Sequence, residues 1–87
     1  MSGPSLLTFP CELPIKVFGR NEERFRAAAL AIVRAHYADV GEADVSEQPS
    51  RRGSYLSLTI TVRAASREQV DALYRELTAS DEILMVL

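Results

Sequence analysis

The stretch YLSLTITVR, residues 55–63, decides the fold of this chain. Apolar and polar side chains alternate along it without interruption, which is the period of a half-buried β-strand. The predicted buried face carries four aliphatic side chains: Leu56, Leu58, Ile60 and Val62. The opposite face carries Tyr55, Ser57, Thr59, Thr61 and Arg63. We therefore predict an inner strand whose sheet is covered on one side only.

A strand, a helix and a second strand are predicted before this stretch. Residues 13–18 alternate in the same way, and Gly19-Arg20-Asn21 ends the alternation. We expect Asn21 to cap a helix with two glutamates in its first turn, where the helix dipole favours negative charge. Helical spacing gives this helix one apolar stripe: Phe25, Ala28, Ala29, Ile32, Val33 and His36. Residues 43–48 then predict a polar edge strand, and residues 49–53 a turn.

A second helix and a last strand are predicted after it. Ser66 and Gln69 form a capping-box pattern, which marks the start of an amphipathic helix with Val70, Leu73, Tyr74 and Leu77 on one side. Residues 83–87 predict the closing strand. This order of elements is the split βαββαβ motif, so we predict an α+β ferredoxin-like fold: a four-stranded antiparallel sheet with two helices on one face. We expect residues 1–8 to be a flexible N-terminal segment and residues 9–87 to form this single domain.

Composition restricts the class of protein. The chain has 87 residues, of which 47% are hydrophobic and 25% charged, values typical of a globular domain. Its formal net charge is -2, which disfavours non-specific binding to nucleic acid phosphates. The single cysteine, Cys11, rules out an internal disulfide and suits a reducing compartment. We found neither a signal-peptide pattern nor a membrane-length apolar run, so we expect a cytoplasmic protein without membrane partners.

The residues that catalysis requires are poorly represented. Cys11 has no neighbouring histidine in sequence to lower its pKa, and no serine lies in a Gly-x-Ser-x-Gly turn. One cysteine and one histidine, His36, do not make a usual zinc site. We therefore predict a protein that is not an enzyme and that uses no metal or cofactor.

Two segments are candidates for ligand binding. Gly19, Arg20 and Asn21 lie between the first strand and first helix, where backbone amides can bind an anion. Arg51 and Arg52 lie in the turn before Tyr55 and Ser57, where two guanidinium groups can hold a carboxylate or phosphate. For both segments the alternative is purely structural: a glycine turn with a helix cap, and a solvated hairpin followed by a strand.

The last strand, residues 83–87, is apolar on both faces, although one face of the sheet is predicted to lack helices. We call that helix-free side the open face. Some group is expected to cover it. The apolar cluster of Leu6, Leu7 and Phe9 is one candidate, a second copy of the chain is another, and a different partner is the third. The tentative interface residues are Phe18, Leu84 and Val86.

RNA binding is an alternative use of the same face. Domains of this topology stack bases on aromatic side chains of the two central strands, and Phe18 and Tyr55 would provide two. Ser57 and Thr59, however, occupy positions where further aromatic rings would help, and the chain is acidic.

Several spaced blocks resemble one family. The blocks are Phe9-Pro10, Pro14-Ile15-Lys16-Val17 with Gly19, Gly53 with Tyr55 and Ser57, Gln69-Val70 with Leu73-Tyr74 and Leu77, and Met85-Val86-Leu87. Together they resemble the YbeD-like family of small bacterial proteins of unknown function. The resemblance implies a ferredoxin-like fold similar to ACT-type regulatory domains, and a link to lipoate metabolism, but it carries over no catalytic residue. The Arg51-Arg52 pair departs from the mixed Ser/Lys turn that is common in this family.

These observations favour a non-enzymatic regulatory or interaction module. It would sense a small anionic metabolite in the manner of ACT domains, or dock on a protein partner. RNA binding through the open face remains the alternative.

Overall fold

The computed structural model describes residues 8–87. The regular elements, in chain order, are β1 (Cys11–Arg20), α1 (Glu23–His36), a 3-10 turn (Glu42–Asp44), β2 (Val45–Pro49), β3 (Tyr55–Ala64), α2 (Arg67–Ala79) and β4 (Met85–Val86). Within residues 8–87, neither helix is long and apolar enough to cross a lipid bilayer.

The strands form one antiparallel sheet in the order β2-β3-β1-β4. The inner strands β1 and β3 pair along their whole length, from Cys11 opposite Ala64 to Arg20 opposite Tyr55. This pairing makes both strands longer than their alternating segments alone predicted. The strand order and the two helices confirm the predicted ferredoxin-like fold.

The core lies between the sheet and both helices. Its fully buried members come from alternate positions of the inner strands and from the helix stripes: Ile15, Val17, Leu58, Ile60, Val62, Ala64, Phe25, Ala29, Val33, Leu73 and Leu77. Because residues of β1 and β3 meet residues of both helices in one cluster, both helices cover the same face of the sheet. A 2.7 Å contact between His36 Nε2 and Glu76 Oε1 joins the helices at their outer surface.

Tyr37 places a phenol in this core. Its side chain is buried, and its hydroxyl has no hydrogen-bond partner among residues 8–87. Burial raises the pKa of Tyr37, and the nearby Cys11 thiol raises it further. Burial also raises the pKa of Tyr74, whose hydroxyl donates to the carbonyl of Leu87 at 3.1 Å.

The two helices begin differently. α2 has the predicted cap: the Ser66 hydroxyl accepts from the Gln69 amide at 3.2 Å, and Gln69 Oε1 accepts from the Ala65 amide at 3.0 Å. The prediction that Asn21 caps α1 was wrong, because the N-cap residue is Glu22 and it makes no side-chain cap. The Asn21 side chain bonds to a distant hairpin instead.

Both edge strands are shorter than predicted. β2 begins at Val45 rather than residue 43, because Gly41 and Asp44 exchange two hydrogen bonds that close the preceding 3-10 turn. β4 is limited to Met85–Val86 instead of residues 83–87. Backbone bonds nevertheless continue beyond β4 on both sides, from the Leu84 amide to Phe18 and in both directions between Leu87 and Lys16.

The N-terminal cluster is described only in part. Phe9 is half-buried and packs against the core on the helix side, so it does not cover the open face. Leu6 and Leu7 lie outside the described residues. The predicted flexible segment and the covering role of these two leucines therefore stay predictions.

Candidate functional site

An apolar patch lies on the open face, at the end of the sheet where β1 finishes and β3 begins. It consists of Phe18, Tyr55 and Met85, and we call it the apolar patch. Phe18 lies opposite Met85 on one side and opposite Ser57 on the other. Tyr55 is 47% exposed and Met85 is 50% exposed, whereas Phe18 is half-buried between its neighbours. Exposed apolar side chains that are grouped in this way, rather than scattered singly, are typical of a binding surface.

A shallow cavity opens beside this patch. It measures about 300 Å³ and is lined by Lys16, Phe18, Gln48, Pro49, Ser50, Tyr55, Leu56 and Ser57. The Ser57 hydroxyl already donates to the carbonyl of Gln48 at 3.3 Å. The cavity therefore offers two aromatic side chains and one ammonium group to a ligand, with little additional polar capacity from Ser57.

Arg20 extends the patch at its outer end. Its guanidinium carbon lies 5.9 Å from the centroid of the Tyr55 ring, and the two residues are direct partners in the β1–β3 pairing. This is the distance range of a cation–π contact, which holds the charge beside the ring without neutralising it. Arg20 thus remains able to bind an anion.

The hairpin between β2 and β3 places two more arginines next to Tyr55. The Ser50 amide donates to the carbonyl of Tyr55 at 2.9 Å, and the Gly53 amide donates to the carbonyl of Ser50 at 2.9 Å. Gly53 has a φ of +79°, a conformation that glycine adopts without strain. Arg51 and Arg52 are exposed on this turn. Within residues 8–87, neither arginine forms an ion pair.

Asn21 ties this hairpin to the start of α1. Its backbone amide donates to the carbonyl of Ser54 at 3.0 Å, and its Nδ2 donates to the carbonyl of Gly53 at 3.0 Å. Its Oδ1 accepts from Arg26 Nη2 at 3.1 Å. Both polar atoms of the Asn21 side chain therefore have partners other than the amides of α1, which explains why it does not cap this helix.

Arg26 connects α1 to β2 in the same region. Its Nε and Nη2 donate to the two carboxylate oxygens of Glu47 at 3.1 and 3.3 Å. The hydrogen bond to Glu47 raises the pKa of Arg26. This two-pronged contact holds the base of the hairpin against the helix.

The space beside Gly19 is occupied by the ring of Phe25. Gly19 is buried on the helix side of β1, and a Cβ added there would overlap the ring of Phe25. A separate surface cavity of about 330 Å³ lies near the start of α1, and its lining includes Glu22, Asp81 and Glu82 together with Arg20, Arg24 and Leu84. Its three carboxylates outnumber its two guanidinium groups, so this lining has no net positive charge to attract an anion.

The structure brings some predicted site residues together and separates others. Arg20, Tyr55 and Ser57 lie on the open face beside the Arg51-Arg52 hairpin, whereas Gly19 lies on the covered face. Ligand binding by these residues stays a prediction.

Among the predicted interface residues, Phe18 belongs to the apolar patch, and Leu84 is 59% exposed but lines the cavity near α1. Val86 lies opposite Val17 and packs, half-buried, against the core on the covered face. The interface role of these residues stays a prediction. Sequence reasoning missed Met85 and Lys16. The last strand is apolar at every position and therefore shows no alternation, so the sequence could not indicate that Met85 faces the open side.

The chain is similar in sequence to one family of bacterial proteins. The family model described as "Protein of unknown function (DUF493)" matches residues 4–87. The chain belongs to this family. UPF0250 protein NE1487 of Nitrosomonas europaea is 38% identical over 87 residues, covering all of both chains. A UPF0250 protein of Paraburkholderia phytofirmans is 42% identical over 83 residues, which is 95% of this chain and 93% of that one.

The DUF493 family assignment confirms the resemblance to the YbeD-like proteins. A solved structure supports the fold independently: protein HP0495 from H. pylori matches with a TM-score of 0.72, over 93% of this chain and 85% of that one. Its sequence identity is 8%, so the likeness concerns the fold alone.

Proposed function

We propose that this member of the DUF493 family is a non-catalytic interaction module that docks a partner protein on the open face of its sheet. The observation that carries the proposal is the apolar patch of Phe18, Tyr55 and Met85, which is accessible on a sheet face without helices. Side chains of this type, and aromatic ones above all, provide much of the binding energy at protein interfaces.

The positions of Cys11 and His36 support a binding role rather than catalysis. Cys11 is half-buried against the core, at the opposite end of β1 from the patch. His36 contacts Glu76 on the outer surface of the helices. Neither group is placed to act on a molecule bound at Phe18 and Tyr55.

Protein docking has more support than metabolite sensing at the Gly19–Asn21 turn. Gly19 is packed against Phe25, and the Asn21 side chain is bonded to the hairpin. In the cavity at the start of α1, three carboxylates outnumber two guanidinium groups. The start of α1 therefore offers no net positive charge to a small anion such as a metabolite carboxylate.

Affinity capture with matched variants tests the proposal. The double variant Tyr55→Ser/Met85→Ser removes two exposed apolar side chains of the patch, and Arg75→Ser changes an exposed residue on α2. We expect a partner that is retained by the wild type and by Arg75→Ser to be lost from the double variant. Retention of the same partner by all three proteins would contradict docking on the open face.

Sedimentation velocity distinguishes a different protein from a second copy. We expect the purified wild type to sediment as a monomer at high concentration. A dimer that Met85→Ser converts to a monomer would mean that the open face is covered by another copy of this chain, and it would overturn the proposal of a separate partner.

A second candidate function, binding of single-stranded RNA, is favoured by one specific feature. Phe18 and Tyr55 lie on the two central strands, and Arg20 lies against the Tyr55 ring, as in a base-stacking platform. This candidate predicts that oligouridylate binds with an affinity that falls steeply as salt rises and that is lost in Tyr55→Ser. Unchanged fluorescence anisotropy of the labelled oligonucleotide at low salt would exclude it.

A further inference from the structure

We infer that the segment of the partner that contacts the open face is an acidic stretch of polypeptide with an apolar side chain at its centre. The inference rests on the proposed function and specifies its ligand. The apolar side chain would pack on the patch of Phe18, Tyr55 and Met85. The flanking carboxylates would pair with cations of β1 and of the hairpin beside this patch, which we call the basic rim: Lys16, Arg20, Arg51 and Arg52.

Most cations elsewhere on the molecule already have partners within the fold. Arg24 lies 3.6 Å from Glu22 and 3.7 Å from Glu82. Arg26 holds Glu47, as described above. Arg63, at the other end of β3, lies 3.5 Å from Asp39 and 3.7 Å from Glu12. Arg34 instead donates to the carbonyl of Val40 at 3.2 Å. Folding therefore satisfies these guanidinium groups internally.

The basic rim is different. Within residues 8–87, Lys16, Arg51 and Arg52 form no ion pair, and Arg20 contacts the Tyr55 ring instead of a carboxylate. All four side chains belong to exposed residues. The nearest acidic residue of β2, Glu47, is held by Arg26 on the helix side. Cations in this state are available to pair with carboxylates from another molecule.

The charge of the rest of the molecule would help to direct an acidic partner to the basic rim. The chain has a net charge of -2, although the rim contributes four positive charges. The remainder therefore has a net charge of -6 and would repel an acidic partner. Attraction at the rim and repulsion elsewhere would orient such a partner toward the open face.

The patch itself favours a polypeptide over RNA. Met85 occupies the position next to Phe18, and the positions of β3 beyond Tyr55 are Ser57 and Thr59 rather than further aromatic residues. A methionine adapts its shape to aliphatic and aromatic side chains. The combination of a methionine, two aromatic rings and a basic rim matches an apolar anchor flanked by carboxylates.

Chemical-shift titration of the full chain with defined peptides tests the inference. The probes are a short Glu-rich peptide with one central Phe, a matched Gln-rich peptide with the same Phe, and single-stranded oligouridylate. We expect the Glu-rich peptide to shift the amides of the rim and the patch, with an affinity that falls as salt rises. The Gln-rich peptide should bind about tenfold more weakly, the effect of losing one charge-assisted hydrogen bond.

Two variants complete the design. Arg51→Ser/Arg52→Ser should weaken the Glu-rich peptide about tenfold, again the size of one lost charge-assisted bond, whereas Arg75→Ser on α2 should bind it like the wild type. Equal affinity for the Glu-rich and Gln-rich peptides at the patch would overturn the acidic partner while leaving docking on the open face intact. Shifts confined to other surfaces would overturn both, and binding of oligouridylate alone would replace the peptide by RNA.

Discussion

The two faces of β3 show how one strand serves two purposes. On the covered face, Leu58, Ile60 and Val62 are 0% exposed and pack against both helices. On the open face, Tyr55 is 47% exposed and Thr59 and Thr61 are half-buried. On the covered face, the volume and hydrophobicity of each side chain decide how well it packs in the core. On the open face, the side chains that have no partner within the fold are the ones available for binding. Stability and recognition should therefore respond to different substitutions in the same strand.

The largest difference is expected for neighbouring residues of β3. Leu58→Ala should reduce the free energy of unfolding by about 3 kcal/mol, because it removes buried methyl groups and leaves a cavity. Thr59→Ala, one position along on the open face, should cost about 0.5 kcal/mol or less. Urea denaturation of both variants measures the difference, and equal losses would show that the two faces are not distinct.

A somewhat smaller effect is expected where β1 meets α1. Gly19→Ala should lower the free energy of unfolding by about 2 kcal/mol, because the new Cβ would overlap the Phe25 ring and the core would have to shift. Gly41→Ala is the matched control, since its Cβ would meet nothing closer than Asp44 Oδ2 at 4.0 Å. If Gly19→Ala unfolds at the same urea concentration as the control, the close packing of Phe25 on β1 is wrong.

The covered face should also respond to alkaline pH. Burial raises the pKa of Tyr37 and Tyr74 above the ordinary value of 10.0. Above about pH 10 the unfolded chain loses these protons more readily than the folded one, so stability is present below that pH and falls as pH rises further. Urea denaturation at increasing pH should show this loss. Tyr37→Phe/Tyr74→Phe should reduce it.

Tyr37→Phe alone sharpens this comparison at neutral pH. It removes a buried hydroxyl that has no partner among the described residues, so stability should stay the same or rise by about 1 kcal/mol. Tyr74→Phe should lower it instead, because the hydroxyl of Tyr74 is bonded to Leu87. A marked loss in Tyr37→Phe would show that its hydroxyl has a favourable contact in solution.

The smallest effect on stability is expected at the basic rim. Arg51→Ser/Arg52→Ser should unfold at the same urea concentration as the wild type, because neither side chain has an ion pair within residues 8–87 to lose. The same variant is expected to lose affinity for an acidic peptide. A clear shift of its unfolding midpoint would mean that these arginines stabilise the fold.

The fold was largely predictable because it depends on periodicity. The alternation in residues 55–63 corresponds to the inner strand Tyr55–Ala64, and the Ser66–Gln69 pattern marks the start of α2. The apolar stripe of α1 contains its three buried residues, Phe25, Ala29 and Val33. Each of these signals lies within a short segment, so no knowledge of distant contacts was needed.

The site was less predictable because it depends on contacts between distant segments. Asn21 fits a helix cap locally, but its side chain bonds to Gly53, 32 residues away. The pairing of Val86 with Val17 places Val86 on the covered face and Met85 on the open face, and a strand that is apolar throughout gives no indication of this. Likewise, which arginines stay unpaired is decided by the positions of carboxylates on other elements.

The hydrogen bonds from Asn21 to the β2–β3 hairpin, with the Arg26–Glu47 contact beside them, have a consequence for the speed and selectivity of association. They fix the turn that carries Arg51 and Arg52 before any partner arrives. Little loop entropy would then be lost on binding, and the free and bound backbones should be nearly superimposable. A partner would therefore bind to a surface that is already in its final conformation. The affinity of each competing partner sequence would depend on how well it fits that surface.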